Sequence, residues 1–172
     1  SIPSRIDNIE KTINSINSQT LKANKIFLNL PYEFKRFPNN KFSENQIEKL
    51  KRFNIELNRS FDYGPSTKLM GSLEKIKKYK CVIILDDDHI YHEKMFEIFI
   101  NEFKKKRKNY SFYVQKIFKL NMGQGADGIL INTDNLTKIK SFYERYVKKN
   151  KNLFLNDDLW ISMYLQYIEN NK

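Results

Sequence analysis

Three consecutive carboxylates, Asp86, Asp87 and Asp88, follow directly on the apolar run Cys81-Val82-Ile83-Ile84-Leu85. A run with β-branched residues and no polar break has the pattern of a central strand covered on both faces. Its acidic tail therefore falls at the carboxyl end of a strand, where α/β proteins bind ligands. If the chain is still extended there, Asp86 and Asp88 share one side and Asp87 takes the other. Two hard oxygen ligands on one side suit Mg²⁺ or Mn²⁺, which draw further ligands from substrate phosphates. A solvated turn is the plainer reading, since Asp favours turns. Against it, three adjacent carboxylates repel one another, which costs stability and raises their pKa values unless a cation is near. His89 and His92 lie close by; their spacing is a weak ligand signal, and two surface histidines at a helix start explain it.

A second acidic pair stands late in the chain, in Asn156-Asp157-Asp158-Leu159-Trp160-Ile161-Ser162. Either carboxylate could serve as a general base, and either could cap the helix that follows. Lys68, at an expected helix start after Gly64-Pro65, could bring charge and backbone amides to a phosphate; an ordinary surface lysine explains it equally well. The loop Gly123-Gln124-Gly125-Ala126-Asp127-Gly128 lets backbone approach a ligand closely, or only makes tight turns. Trp160, the only tryptophan, suits packing better than sugar stacking. Cys81 is the only cysteine, so the chain has no internal disulfide, and its apolar surroundings make it a small core residue, not a nucleophile.

The elements that must position these residues alternate between helix and strand. Ile6, Ile9, Ile13 and Ile16 recur at helical spacing, so a helix runs to about Ser18. Ile26-Phe27-Leu28 reads as a short strand ended by Asn29-Leu30-Pro31. Ser43 and Gln46 form a capping box for a helix to about Phe53. Asn54 to Leu57 is a short strand, Gly64-Pro65 a break, and Leu69, Leu73 and Ile76 are helically spaced. Met95, Phe96, Phe99, Ile100 and Phe103 line another helix. Tyr110 to Phe118 reads as extended and Gly128 to Ile131 as a short strand, with helices near 135–147 and 157–168. The expected fold is an α/β sandwich with a mainly parallel central sheet, in one domain spanning 1–172.

With 13 Phe and 10 Tyr the chain has enough apolar bulk to build a core, which excludes a disordered segment. It has no apolar run near the length of a membrane helix and no signal-peptide pattern, and with one cysteine a cytoplasmic setting is the default. Net charge is +11, which invites nucleic acid, but the lysines are spread over many segments and compositional bias explains them. The dense run Lys104 to Lys108 reads as a solvated helix end. A basic nucleic-acid module remains the alternative from another class, with a metal-dependent phosphohydrolase or nucleotidyltransferase as the alternative enzyme.

An apolar strand ending in Asp86-Asp87-Asp88 resembles the Asp-x-Asp motif of GT-A glycosyltransferases of the family-2-like bacterial and viral type. Ser1-Ile2-Pro3-Ser4-Arg5 resembles the segment after their first strand. Asp62-Tyr63-Gly64-Pro65-Ser66-Thr67-Lys68-Leu69 resembles the loop and helix start ahead of the acidic strand, and the motif at 156–162 resembles their late acidic motif. The resemblance implies a three-layer Rossmann-like sandwich, with a first strand that would stand ahead of Ser1. It implies metal-dependent, inverting transfer of a sugar from a nucleotide-diphosphate donor to a glycan or other hydroxyl acceptor. Asp86 and Asp88 would hold Mn²⁺ or Mg²⁺; Ser4, Arg5, Asp62, Lys68, Asp86 and Asp87 would face the donor. Asp158, or else Asp157, would be the base, and Gly125, Asp127 and Trp160 would border the acceptor. No nucleic acid and no integral membrane segment are expected.

Overall fold

The structure, a computed structural model, describes residues 1–170. It opens with a 3₁₀ turn, Pro3–Asn8, that runs into helix α1, Ile9–Asn17. Ile6, Ile9, Ile13 and Ile16 are all buried, the stripe that their spacing predicts. Strand β1, Phe27–Pro31, connects through helix α2, Glu44–Lys51, to strand β2, Glu56–Ser60. Both bonds of the Ser43/Gln46 capping box are made. β1 and β2 pair in parallel from Phe27↔Glu56 to Pro31↔Ser60. β1 thus extends through the Asn29-Leu30-Pro31 segment expected to end it. Proline is tolerated there because the neighbouring Tyr32 N–H, not position 31, donates to β2, at Ser60 O.

Two short helices follow, α3, Thr67–Met70, and α4, Leu73–Ile76, then strand β3, Cys81–Ile84, and helix α5, Met95–Lys105. Strand β4, Tyr110–Ser111, leads into the hairpin of β5, Val114–Ile117, and β6, Leu120–Gly123. Strand β7, Ile129–Asn132, precedes helix α6, Ile139–Phe142, a π-type turn at Tyr143–Val147, helix α7, Lys151–Leu155, and helix α8, Asp157–Asn170.

The α/β class holds, but the pairing differs from a mainly parallel sheet. β7 lies between β3 and β4 and is antiparallel to both, so β1–β2 is the only parallel pair among the described strands. Apolar runs such as Ile129-Leu130-Ile131 signal burial on both faces and carry no sign of strand direction.

The largest core cluster packs α3, α4, α6 and α8 against one face of β3 and β7, with Trp160, Ile161 and Tyr164 fully buried. α5 covers the other face through Met95, Phe96, Phe99 and Phe103. A third cluster joins α1, α2 and β1. Between β1 and β3 a cavity of about 860 Å³ opens, lined by Ile13, Ile16, Leu28, Val82 and Phe96 and reaching Asp86–Asp88 at one end. No described helix is long and apolar enough to cross a membrane.

Candidate functional site

Lys68 is the centre of the site. Its side chain, on α3, is only 16 % exposed, and its Nζ lies 2.5 Å from Asp86 Oδ1, 2.9 Å from Asp157 Oδ2 and 3.9 Å from Asp158 Oδ1. The strand end and the late helix, about seventy residues apart, therefore meet on one ammonium. Burial works against that charge, but Asp157, Asp86 and Asp158 outweigh it and hold the ammonium above its ordinary pKa.

A buried polar network sets where Lys68 stands. Asn58 Nδ2 donates to Asn29 Oδ1 at 2.9 Å and to Gly71 O at 2.6 Å, Ser72 Oγ donates to Asn29 Oδ1, and Asn29 Nδ2 donates to Lys68 O at 3.1 Å. The parallel strands are thereby tied to the α3 backbone through side chains that would be costly to bury unpaired. Sequence reasoning missed this network, because an Asn inside a strand has no local signature until its partner 29 residues away is in place.

The acidic turn is held from behind. Tyr91 Oη accepts from Asp86 N at 2.8 Å and donates to Asp86 O at 3.1 Å, and Thr12 Oγ1 donates to Asp87 O at 3.3 Å. Arg5 Nη1 lies 2.9 Å from Asp87 Oδ1 and 3.1 Å from Asp88 Oδ2. Burial pushes the Asp87 carboxyl up, but the Ser1 ammonium and Arg5 outweigh it and hold Asp87 below its ordinary range. Crowding was expected to raise pKa values in this run only where no cation is near, and at Asp87 the cations are present.

Asp86, Asp88 and His89 each offer a ligand atom, and the three atoms lie within 4.8 Å of one another. The expected pairing of Asp86 with Asp88 is kept although β3 ends at Ile84 and Asp87–Asp88 form a turn. His89, discounted on spacing, joins them, its Nδ1 2.9 Å from Asp88 Oδ1; His92 stays apart, its Nδ1 accepting from Lys94 N. Two carboxylates and an imidazole are a donor set that fits a divalent ion. The charge balance leaves room for one, because five carboxylates here face three cations, Lys68, Arg5 and the Ser1 ammonium.

Asp158 Oδ1 accepts from Gly125 N at 3.0 Å. Burial, followed by the adjacent Asp157 charge, pushes the Asp158 carboxyl up to about 6. Gly125 sits so close that a Cβ there would collide with Lys68 Nζ and come within 3.0 Å of Asp158 Oδ1. A side chain at 125 would therefore displace the Lys68 ammonium from its carboxylates, so the glycine serves the charged cluster as well as the turn.

Three residues expected at the site stand elsewhere. Trp160 is fully buried against Phe142 and Tyr143, so it presents no face to an acceptor. Ser4 is exposed and does not line the cavity, whereas Ser1 and Arg5 do. Asp127 is exposed at the end of the 3₁₀ turn Gly125–Asp127, away from the Lys68 ion pairs. Asp62 borders the cavity but gives its oxygens to Lys35 N and Gly64 N, which folds the loop ahead of α3.

The fold and site together define an α/β protein with a lysine-centred acidic cluster at the carboxyl end of a strand and a group able to take a metal ion beside it. No family model, no curated protein and no solved structure matches the chain.

Proposed function

We propose that this protein is a glycosyltransferase of the GT-A type, moving a sugar from a nucleotide-diphosphate donor to a hydroxyl acceptor with inversion and with a divalent cation. The observation that carries the reading is the meeting of Asp86–Asp88 and Asp157–Asp158 at one cavity mouth, with one carboxylate tuned to about 6. A base for a hydroxyl acceptor works best with a pKa near the working pH, and burial raises Asp158 toward it. The finer architecture proposed, a three-layer Rossmann-like sandwich, is supported by helices on both faces of β3–β7 and by the strand–helix–strand unit of β1 and β2.

Asp86, Asp88 and His89 would hold the cation, and His89 favours Mn²⁺ over Mg²⁺ because imidazole suits a transition metal. Bound there, the ion would supply Lewis-acid stabilisation of the leaving diphosphate. Arg5 turns its guanidinium toward Asp87 and Asp88 at the same mouth, where it can also meet a phosphate. In the transfer step the acceptor oxygen forms a bond to the anomeric carbon, the bond from that carbon to the diphosphate oxygen breaks, and Asp158 takes the acceptor proton. Lys68 holds Asp157 and Asp86 in place through its ion pairs, beside the Asp158 that takes the proton.

Calorimetric titration with UDP and with GDP, each with and without Mn²⁺, tests this reading. Binding that requires the metal and is lost in Asp88→Ala supports it. Metal-independent binding, or none with either nucleotide, rejects it. Salt-sensitive RNA binding instead would favour a basic nucleic-acid module, and release of inorganic phosphate a phosphohydrolase.

A further inference from the structure

The hairpin of β5 and β6 carries a cost that the fold does not repay. Its register pairs Ile117 with Leu120, so Phe118 and Lys119 make a two-residue turn. Phe118 has a φ of 52°, and among the described residues it is the only one besides glycines with a positive φ. Such positions are normally given to glycine or asparagine, because a Cβ is strained there. The Phe118 ring is also 95 % exposed, more than any other large apolar side chain described. The half-exposed Phe112 at the base of the hairpin has a packing role, its ring centroid 4.5 Å from that of Phe99. Phe118, standing almost wholly in solvent, has no such support.

The tip is nonetheless held firmly. Gly123 N donates to Ser162 Oγ and Asn121 N to Gln166 Oε1, each at 3.1 Å, and Gln166 Nε2 donates to Lys119 O at 2.8 Å. Side chains of α8 thus brace the outer edge of β6 up to the turn itself, and Phe118 is presented by a fixed hairpin. The charge around it has one sign. From Phe103 to Ala126 the chain has no carboxylate, whereas Lys116 and Lys119 flank the ring and Lys104–Lys108 open the segment. The α8 residues that meet β6, Ser162 and Gln166, are neutral. Along β5 the exposed face continues from the tip through Lys116 to Val114.

We propose that the β5–β6 tip is a docking site for an anionic lipid surface, where Phe118 inserts among the headgroups and Lys116 and Lys119 meet the lipid phosphates and carboxylates. A lone ring beyond a tight turn can enter the boundary between headgroups and acyl chains, whereas base stacking needs ring faces laid open along a groove. The lysine stems lie along that boundary with their ammonium groups turned out to the headgroups. Attraction to anionic lipid falls off within a Debye length, so the cations beside the ring hold the tip down while the remaining positive charge steers the approach. The docking site goes beyond the reaction assigned to the acidic cluster and stands without it.

Phe118→Trp makes the site visible, because Trp160 is fully buried and supplies a constant background. On phosphatidylcholine vesicles containing phosphatidylserine, emission of this variant should shift to the blue and be quenched by lipid brominated in its acyl chains; on phosphatidylcholine alone neither should occur. In co-sedimentation with the anionic vesicles, Phe118→Ser should bind about tenfold more weakly than the parent chain, and Lys116→Gln combined with Lys119→Gln more weakly by a similar factor. No binding to the anionic vesicles overturns the proposal, as does binding that does not depend on phosphatidylserine. Equal binding by Phe118→Ser, or unshifted emission from vesicle-bound Phe118→Trp, overturns it in favour of diffuse attraction by the net charge. Affinity for single-stranded RNA without affinity for vesicles overturns it in favour of a nucleic-acid surface.

Discussion

The two walls of the acidic site are built to different standards. On the α8 side, β7 is buried at all four positions and Ile161 and Tyr164 are fully enclosed. On the β1 side, three of the four β3 residues remain half-exposed to the cavity. Hydrogen bonding to β7 fixes one edge of β3, but burial is completed only where a neighbour covers the other edge. The α8 wall is therefore the framework, and the β1 wall is joined to it by the ion pairs of Lys68 and by apolar packing of Phe27 and the α3–α4 residues.

Breaking the joint should have the largest effect. Lys68→Ala leaves Asp86, Asp157 and Asp158 without their shared cation, and removing one partner of a buried ion pair costs about 3–5 kcal/mol. Urea unfolding checks this; a loss below about 1 kcal/mol would mean that the acids are solvated and the walls are joined by something else.

Next comes the contrast between the strands themselves. Ile131→Ala in β7 should cost about 2–5 kcal/mol, and Ile83→Ala in β3 about half as much, because the second side chain already faces a cavity. Equal losses would erase the distinction between framework and open edge.

A smaller effect, of opposite sign, is expected at Asp158. Its pKa in the folded chain, about 6, stands above its ordinary 3.8, so protonation favours the fold. That contribution is fully present below pH 3.8 and is lost as pH rises through about 6. Asp158→Asn should therefore raise Tm at pH 8 by a few degrees, leave it unchanged near pH 3, and abolish turnover; a Tm gain equal at both pH values would show that the charge is not the cause. The smallest effect is at the hairpin tip, where Phe118 is 95 % exposed and Phe118→Ser should change stability by less than about 0.5 kcal/mol in a thermal melt.

What the sequence allowed to be read depends on the range of the interaction. The capping box, the isoleucine stripe of α1 and the strand before Asp86 are local patterns, and each is found where it was expected. Asp86, Asp88 and Asp158 were picked out because adjacent carboxylates repel one another unless a cation is near, although turns and helix starts also favour Asp. Lys68 could not be distinguished from an ordinary lysine, since its partners Asp86 and Asp157 lie far along the chain. Trp160 sits as its residue type suggested, packed inward from α8 onto Phe142 and Tyr143, and only the resemblance put it at the acceptor. The direction of β7 was also hidden, because connections through loops such as 124–128 leave no mark in hydrophobic period.

The charge distribution has one more consequence. The chain as a whole carries +11, yet its cavity mouth gathers five carboxylates around two side-chain cations. An anion therefore feels attraction at long range and repulsion on arrival, while a dication feels the reverse.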